Sequence, residues 1–218
     1  MINVFPNLDR AIRVLFIGAH SDDIEIGCGG TIRRLIASGR DVAVYWFVAS
    51  GTTERHEEAR NAASHFLDGC GTSTIDLATF TDGHFPFEAQ EIKSVFATRL
   101  RDFEPDVVFT HYRDDRHQDH RTLSDLTWQT FRNHLVLEYE VPKYDGDLGQ
   151  PNLFVKLSAD DVAFKVQGLE RSFASQRNKH WFSEDTFRAL LRLRGMESAS
   201  ESGWAEAFYS RKAVLGFM

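Results

Sequence analysis

Cysteine is scarce in this chain: Cys28 and Cys70 are the only two among 218 residues. That excludes a disulfide framework and lacks the paired spacing of a Cys-rich zinc site, so a reducing cytoplasm is the simplest compartment. No apolar run approaches the roughly 20 residues that a membrane-spanning helix needs. The N-terminal stretch MINVFPNLDRAIRV shows no charged region followed by an apolar core and a cleavage site, so no secretory signal is expected. Positive charge is also short: 25 Lys and Arg against 32 Asp and Glu leave a net charge of −7. Broad attraction to nucleic acid or an anionic membrane surface is therefore not expected, and a small molecule is the expected partner. Internal repeats, low-complexity segments and convincing linkers are absent, so residues 1–218 read as one domain.

What is present is an alternation. RVLFIGA (13–19), DVAVYWFVAS (41–50), STIDLATF (73–80) and DVVFTH (106–111) are rich in β-branched and aromatic residues and read as strands. Between them, GTIRRLIASG, ERHEEARNAASHFLDG and FEAQEIKSVFATRLRDFEP carry apolar residues at helical spacing, with Gly or Pro near their ends. Strands alternating with helices predict an α/β fold, a Rossmann-like three-layer sandwich with a mainly parallel sheet and helices on both faces. Residues 1–135 form this core. Residues 136–218 are expected to supply covering, substrate-side elements: a strand and turn-rich loop around Pro142 and Pro151, two helices of which the second has Ser183 as N-cap, and a closing strand in WAEAFYSRKAVLGF. This hydrophobic third could also pair subunits in a homo-oligomer.

In open α/β sheets, ligands bind beyond the carboxyl ends of the strands. Two segments rich in His and Asp fall there. AHSDDIEIGCGG (19–30) follows the first strand with His20, Asp22, Asp23 and Glu25, and HYRDDRHQDHRTL follows DVVFT with His111, Asp114, Asp115, His117, Asp119 and His120. Taken singly, Asp22 reads as a helix cap and the second segment as a solvated loop. Together at neighbouring strand ends, buried carboxylates and imidazoles point to a shared divalent metal, since buried charge needs a partner. Ligand chemistry leaves zinc and iron(II) both open. Gly27, Gly29 and Gly30 lack the G-x-G-x-x-G spacing of a nucleotide site, and a short Gly-rich turn before a helix is weak evidence for one. Cys28 reads as a small packed residue.

AHSDDIEIGCGG resembles the AHPDDE-plus-GG motif of the PIG-L/LmbE-like deacetylases, and DDRHQDHR is similar to their second motif, D-x-H-x-D-H-R. With the order of strands and helices, the resemblance covers about residues 12–135. Ser21 replaces the usual proline, and Ile24 stands where glutamate usually follows the aspartates. The resemblance implies that His20, Asp23 and His120 bind the metal, with Zn2+ first in mind. It implies Asp22 as general base toward an activated water, and His117 as oxyanion stabiliser or acid for the leaving amine. Asp119 would orient one of the histidines, and the segment with Gly27, Gly29 and Gly30 would pack the first helix closely beneath the metal site. Arg55, in SGTTERHEEAR, would meet a sugar hydroxyl or phosphate, or else form an i,i+3 pair with Glu58. Asp82, in TDGHFP, would lie at the pocket rim or simply form an Asp-Gly turn. His84 and His111 read as structural or peripheral, and Glu206 as an outward strand residue or a pocket member.

The expectation is a metal-dependent hydrolase removing an acetyl group from an N-acylated amino sugar or its conjugate. Its rivals are a hydrolase of another small amide or phosphoester, and a non-catalytic ligand-binding protein. If Asp22 works ionised and His117 protonated, the pH-rate profile is bell-shaped.

Overall fold

The computed structural model describes residues 10–214. The start of MINVFPNLDRAIRV and the end of WAEAFYSRKAVLGF, both read above from sequence, lie outside these residues. Thirteen main elements follow in order: β1 Ile12–Gly18, α1 Asp23–Ala37, β2 Val42–Ser50, α2 Thr53–Phe66, β3 Thr72–Phe80, α3 Ala89–Val95, β4 Val107–His111, α4 Gln118–Thr130, β5 Leu135–Tyr139, β6 Leu153–Leu157, α5 Ala159–Ser172, α6 Glu184–Glu197 and β7 Trp204–Ser210.

The strands form a seven-stranded sheet in the order β3-β2-β1-β4-β5-β7-β6. The first five are parallel, and β7 runs antiparallel between β5 and β6. Successive strand side chains point to opposite faces. In β1, Val14 and Phe16 accordingly join a core with α1, α2, α5 and α6, whereas Leu15 and Ile17 join a second core with α3 and α4. Both faces are covered, which is why β1 and β2 read as continuous apolar runs rather than alternating ones. The expected three-layer α/β arrangement is therefore observed.

Chain order reverses between β1 and β4, which sit side by side with Phe16 opposite Phe109. That switch point opens a crevice at the carboxyl ends of the two strands. It also brings both motifs together.

The first helix starts earlier than the segment GTIRRLIASG indicates. Gly27, Gly29 and Gly30 lie inside α1, not in a turn before it, because the helix already begins at Asp23. A side chain at Gly27 would stand 2.3 Å from Tyr139, one at Gly29 2.7 Å from Phe66, and one at Gly30 2.5 Å from Leu157. The glycines thus let β5, α2 and β6 press against the first helix. Glu206 belongs to the same packing: on β7 it accepts the Gly30 and Thr31 amides at 2.8 and 2.6 Å and pairs with buried Lys165 at 2.6 Å. Its place is beneath α1 and not in the pocket. Ser183 caps α6 as expected, accepting the Thr186 amide.

Candidate metal centre

The chain leaves β1 and turns at once into α1. The turn is fixed by the His20 amide, which donates to Asp23 Oδ2 at 2.7 Å. Asp22 takes the N-cap position, yet its side chain makes no capping bond. Instead Oδ1 accepts from Arg55 Nη2 at 2.7 Å, while the buried Oδ2 has no partner among the described residues. Burial raises the Asp22 pKa, and the Arg55 charge opposes that rise without cancelling it.

Three atoms then meet from the two strand ends. His20 Nδ1 lies 3.3 Å from Asp23 Oδ2, Asp23 Oδ2 lies 3.5 Å from His120 Nε2, and His120 Nε2 lies 3.2 Å from His20 Nδ1. A tetrahedral ion with ligands at about 2.0–2.1 Å requires edges of about 3.3–3.4 Å between them. The triangle fits without rearrangement. Two imidazoles and a carboxylate also form a donor set that suits zinc or iron(II).

The other atoms of these side chains are turned away and held. His120 Nδ1 meets Asp115 Oδ2 at 2.9 Å, and His20 Nε2 meets Asp82 Oδ1 at 3.1 Å and Asp119 Oδ2 at 3.3 Å. With His20 Nε2 and His120 Nδ1 engaged by carboxylates, His20 Nδ1 and His120 Nε2 are the ring atoms left to offer lone pairs to a cation. The surrounding carboxylates favour positive charge at this point. Burial opposes a charge on His20, but Asp23, Asp119 and Asp82 outweigh it and raise its pKa well above the usual value. Burial would raise the Asp23 pKa, but His120, His111 and His20 bring it well below the carboxylate range. For His120, burial and the neighbouring His111 lower the pKa to about 4, so this ring stays neutral.

His117 is the N-cap of α4, and its Nδ1 accepts the Asp119 amide at 3.3 Å. The ring hydrogen consequently resides on Nε2, and burial together with the His20 charge lowers the pKa. His117 is a neutral donor, not the cation that the bell-shaped profile assumed. Asp119, fully buried, accepts the Gly83 and Phe85 amides at 2.6 and 3.1 Å and so binds the TDGHFP loop to His20. His111 stacks on His120 with ring centres 3.9 Å apart. Its Nε2 accepts the Ala19 amide at 2.9 Å, which leaves it walling the site although it stands 3.4 Å from Asp23.

A cavity of about 240 Å³ opens over these groups, lined on one side by Asp22, Asp82 and His117 and on the other by Tyr144, Asp145 and Trp181. The second side comes wholly from the C-terminal third. A larger hollow of about 470 Å³, around Arg10, Ala43 and Phe103, opens at the amino ends of the strands, away from this chemistry.

Residues 15–131 match the family described as PIG-L: GlcNAc-PI de-N-acetylase. The chain belongs to the PIG-L family. YaiS of Escherichia coli strain K12, named an uncharacterised deacetylase, is 34% identical over 169 residues, covering 72% of this chain and 89% of that protein. The diacetylchitobiose deacetylase of Thermococcus kodakarensis is 32% identical over 106 residues, covering 44% of this chain and 39% of its own. Among solved structures, GalB, the 4-carboxy-2-hydroxymuconate hydratase of Pseudomonas putida KT2440, superposes with a TM-score of 0.74 at 17% identity, over 95% of this chain and 99% of its own. That last likeness is one of fold.

Within this PIG-L chain, the residues expected at the site do converge: His20, Asp22, Asp23, Asp82, His117, Asp119 and His120 all lie at the β1/β4 switch. Arg55 joins the site through its guanidinium, which is engaged by Asp22, Glu58 and Ser175. Its i,i+3 pair with Glu58 is present as well. Asp82 both lines the cavity and forms the turn, with Gly83 at φ 78°. The departures from the PIG-L motif do not touch the three-atom triangle: Ile24 is buried in the core, and Ser21 is buried with no hydrogen-bond partner among the described residues. Cys28 is buried, and burial pushes its thiol pKa well up, which suits a packed residue. Asp115 and Lys143 carried no expected role, whereas His111 walls the site in keeping with its structural reading. Asp115 could have been suspected from its place five residues before His120, whereas Lys143 has no motif to mark it.

Proposed function

We propose that this chain is a metal-dependent hydrolase that removes an N-acetyl group from an amino sugar or an amino-sugar conjugate. The observation that carries the reading is the triangle of His20 Nδ1, Asp23 Oδ2 and His120 Nε2 beside an unpartnered oxygen of Asp22. The substrate class is supported by the family description and by the deacetylase names of its relatives. Because a hydratase shares the fold, the fold alone does not select the reaction.

His20, Asp23 and His120 would hold the ion, zinc or iron(II). When bound, such an ion polarises a carbonyl and lowers the pKa of water. Asp22 is the general base: Arg55 fixes one of its oxygens, and the other takes a proton from the attacking water. As the water oxygen bonds to the acyl carbon, the carbonyl oxygen gains charge, and His117 donates its Nε2 hydrogen bond there. The C–N bond then breaks, and the proton held by Asp22 passes to the leaving nitrogen, giving acetate and a free amine. Asp119 keeps His20 and the TDGHFP loop in register, and Asp82 offers a carboxylate at the cavity rim for sugar hydroxyls. The chain acts as one domain, in which residues 1–135 carry the chemistry and residues 136–218 wall the cavity. Two unpaired cysteines suit a cytoplasmic setting.

The test is release of acetate and free amine from N-acetylglucosamine and its conjugates by zinc-loaded chain and by chain loaded anaerobically with iron(II). Turnover of at least one N-acetyl amino sugar is expected. Hydrolysis confined to phosphoesters, or hydration of an unsaturated acid without deacetylation, would overturn the reading.

A further inference from the structure

The loop between β5 and β6 supplies Lys143, whose side chain is 8% exposed. Its ammonium donates to Asp115 Oδ2 at 2.8 Å, to Asp147 Oδ2 at 2.6 Å and to the Val141 carbonyl at 3.3 Å. Asp115 and Asp147 are themselves 2% and 7% exposed at the side chain. Desolvating three charges costs more than packing apolar groups of similar size, so stability alone is a poor reason for such a triad.

Its connections suggest another. The Asp115 oxygen that Lys143 touches is the same one that receives His120 Nδ1 at 2.9 Å. The other Asp115 oxygen accepts the His117 amide at 2.7 Å, and Asp147 Oδ2 accepts the Arg116 amide at 2.7 Å. Lys143 also lines the cavity next to Tyr144 and Asp145. One ammonium therefore joins the loop that walls the cavity, the entry to α4 and the carboxylate behind His120.

We propose that Lys143 is a positioning residue of the metal centre: it holds Asp115 against His120 and so fixes the ring that presents Nε2 to the ion. The inference rests on reading His20, Asp23 and His120 as metal ligands. Without the ammonium, Asp115 keeps a buried charge met only by the imidazole and one amide. The carboxylate then shifts toward other donors or water, and the ring turns with it.

The experiment is a zinc titration of the full chain by chelator competition, comparing the parent with Lys143→Met, Lys143→Gln, Lys143→Arg and Asp147→Asn, with kcat and KM measured alongside. Partners behind metal-binding histidines typically change affinity or activity by about 10- to 100-fold. A loss of zinc affinity in that range is expected for Lys143→Met and Lys143→Gln, together with a fall in kcat at nearly constant KM. Lys143→Arg should recover most of it. Asp147→Asn, which leaves the contact with Asp115, should stay within about twofold of the parent, far short of that range. Parental zinc affinity in whichever neutral variant folds would overturn the inference, as would an equal loss in Asp147→Asn, which would assign the effect to loop packing. The titration needs no substrate, so a parent that binds zinc but deacetylates nothing defeats the functional reading and leaves this result standing.

Discussion

Asp22 and His117 show how neighbours assign work to single residues. Asp22 occupies a helix N-cap, where a carboxylate would ordinarily bond a backbone amide. Arg55 draws one of its oxygens away, and the other remains free in a buried site. His117 does bond a backbone amide, and that contact keeps its hydrogen on Nε2. Its lowered pKa means that the neutral donor persists through neutral pH, because a base with a depressed pKa loses its proton at lower pH than usual. Raising the pH through about 6.5, the ordinary histidine value, should therefore produce no alkaline fall in rate assignable to His117. A fall centred there that disappears in His117→Ala would contradict this. Asp22→Asn keeps the shape but not the base, and should lower kcat by about 100- to 10,000-fold while zinc content stays at the parental level. The identities of these residues were legible in the motifs AHSDDIEIGCGG and DDRHQDHR. Their partners were not, since Arg55 can reach Asp22, Glu58 or solvent from the same sequence, and Asp115 and Asp119 look alike beside the histidines they serve.

At the scale of elements, the composition of the apolar runs placed the strands β1 to β4 within a residue or so: β1, β2 and β4 are buried and largely apolar, and the edge strand β3, mostly exposed or half-buried, shows through its β-branched residues. α1 begins at Asp23, ahead of the segment GTIRRLIASG that shows helical spacing in the sequence. Glycine lowers helix propensity, so GCGG reads as a turn, but here tight contacts with Tyr139, Phe66 and Leu157 require residues without a side chain. Gly27→Ala tests this: a Cβ placed 2.3 Å from the Tyr139 ring must push β5 or α1 aside. Overpacking of this kind costs about 1–3 kcal/mol, and in a chain of this size each kcal/mol lowers Tm by about 2–4 °C. Thermal unfolding of Gly27→Ala at or above the parental Tm would show that the helix has room, against the packing described.

For the whole molecule, the decisive feature is topology. Strand order puts β1 beside β4, so motifs some 90 residues apart deliver ligands to one crevice. The alternation of strands and helices made that legible, since the switch point follows from a parallel sheet. The role of the C-terminal third was only partly so. Its strands could be read, but no periodicity reveals that β7 inserts antiparallel between β5 and β6, or that Tyr144, Asp145 and Trp181 face the cavity. Such contacts arise from long-range packing. The claim on which everything else depends is that His20, Asp23 and His120 share one ion. The direct measurement is the zinc content per chain, after removal of metal and reloading, of the parent and of His120→Ala. One tightly held ion in the parent and none retained in His120→Ala is the predicted result; no zinc in the parent, or equal zinc in both, would contradict it.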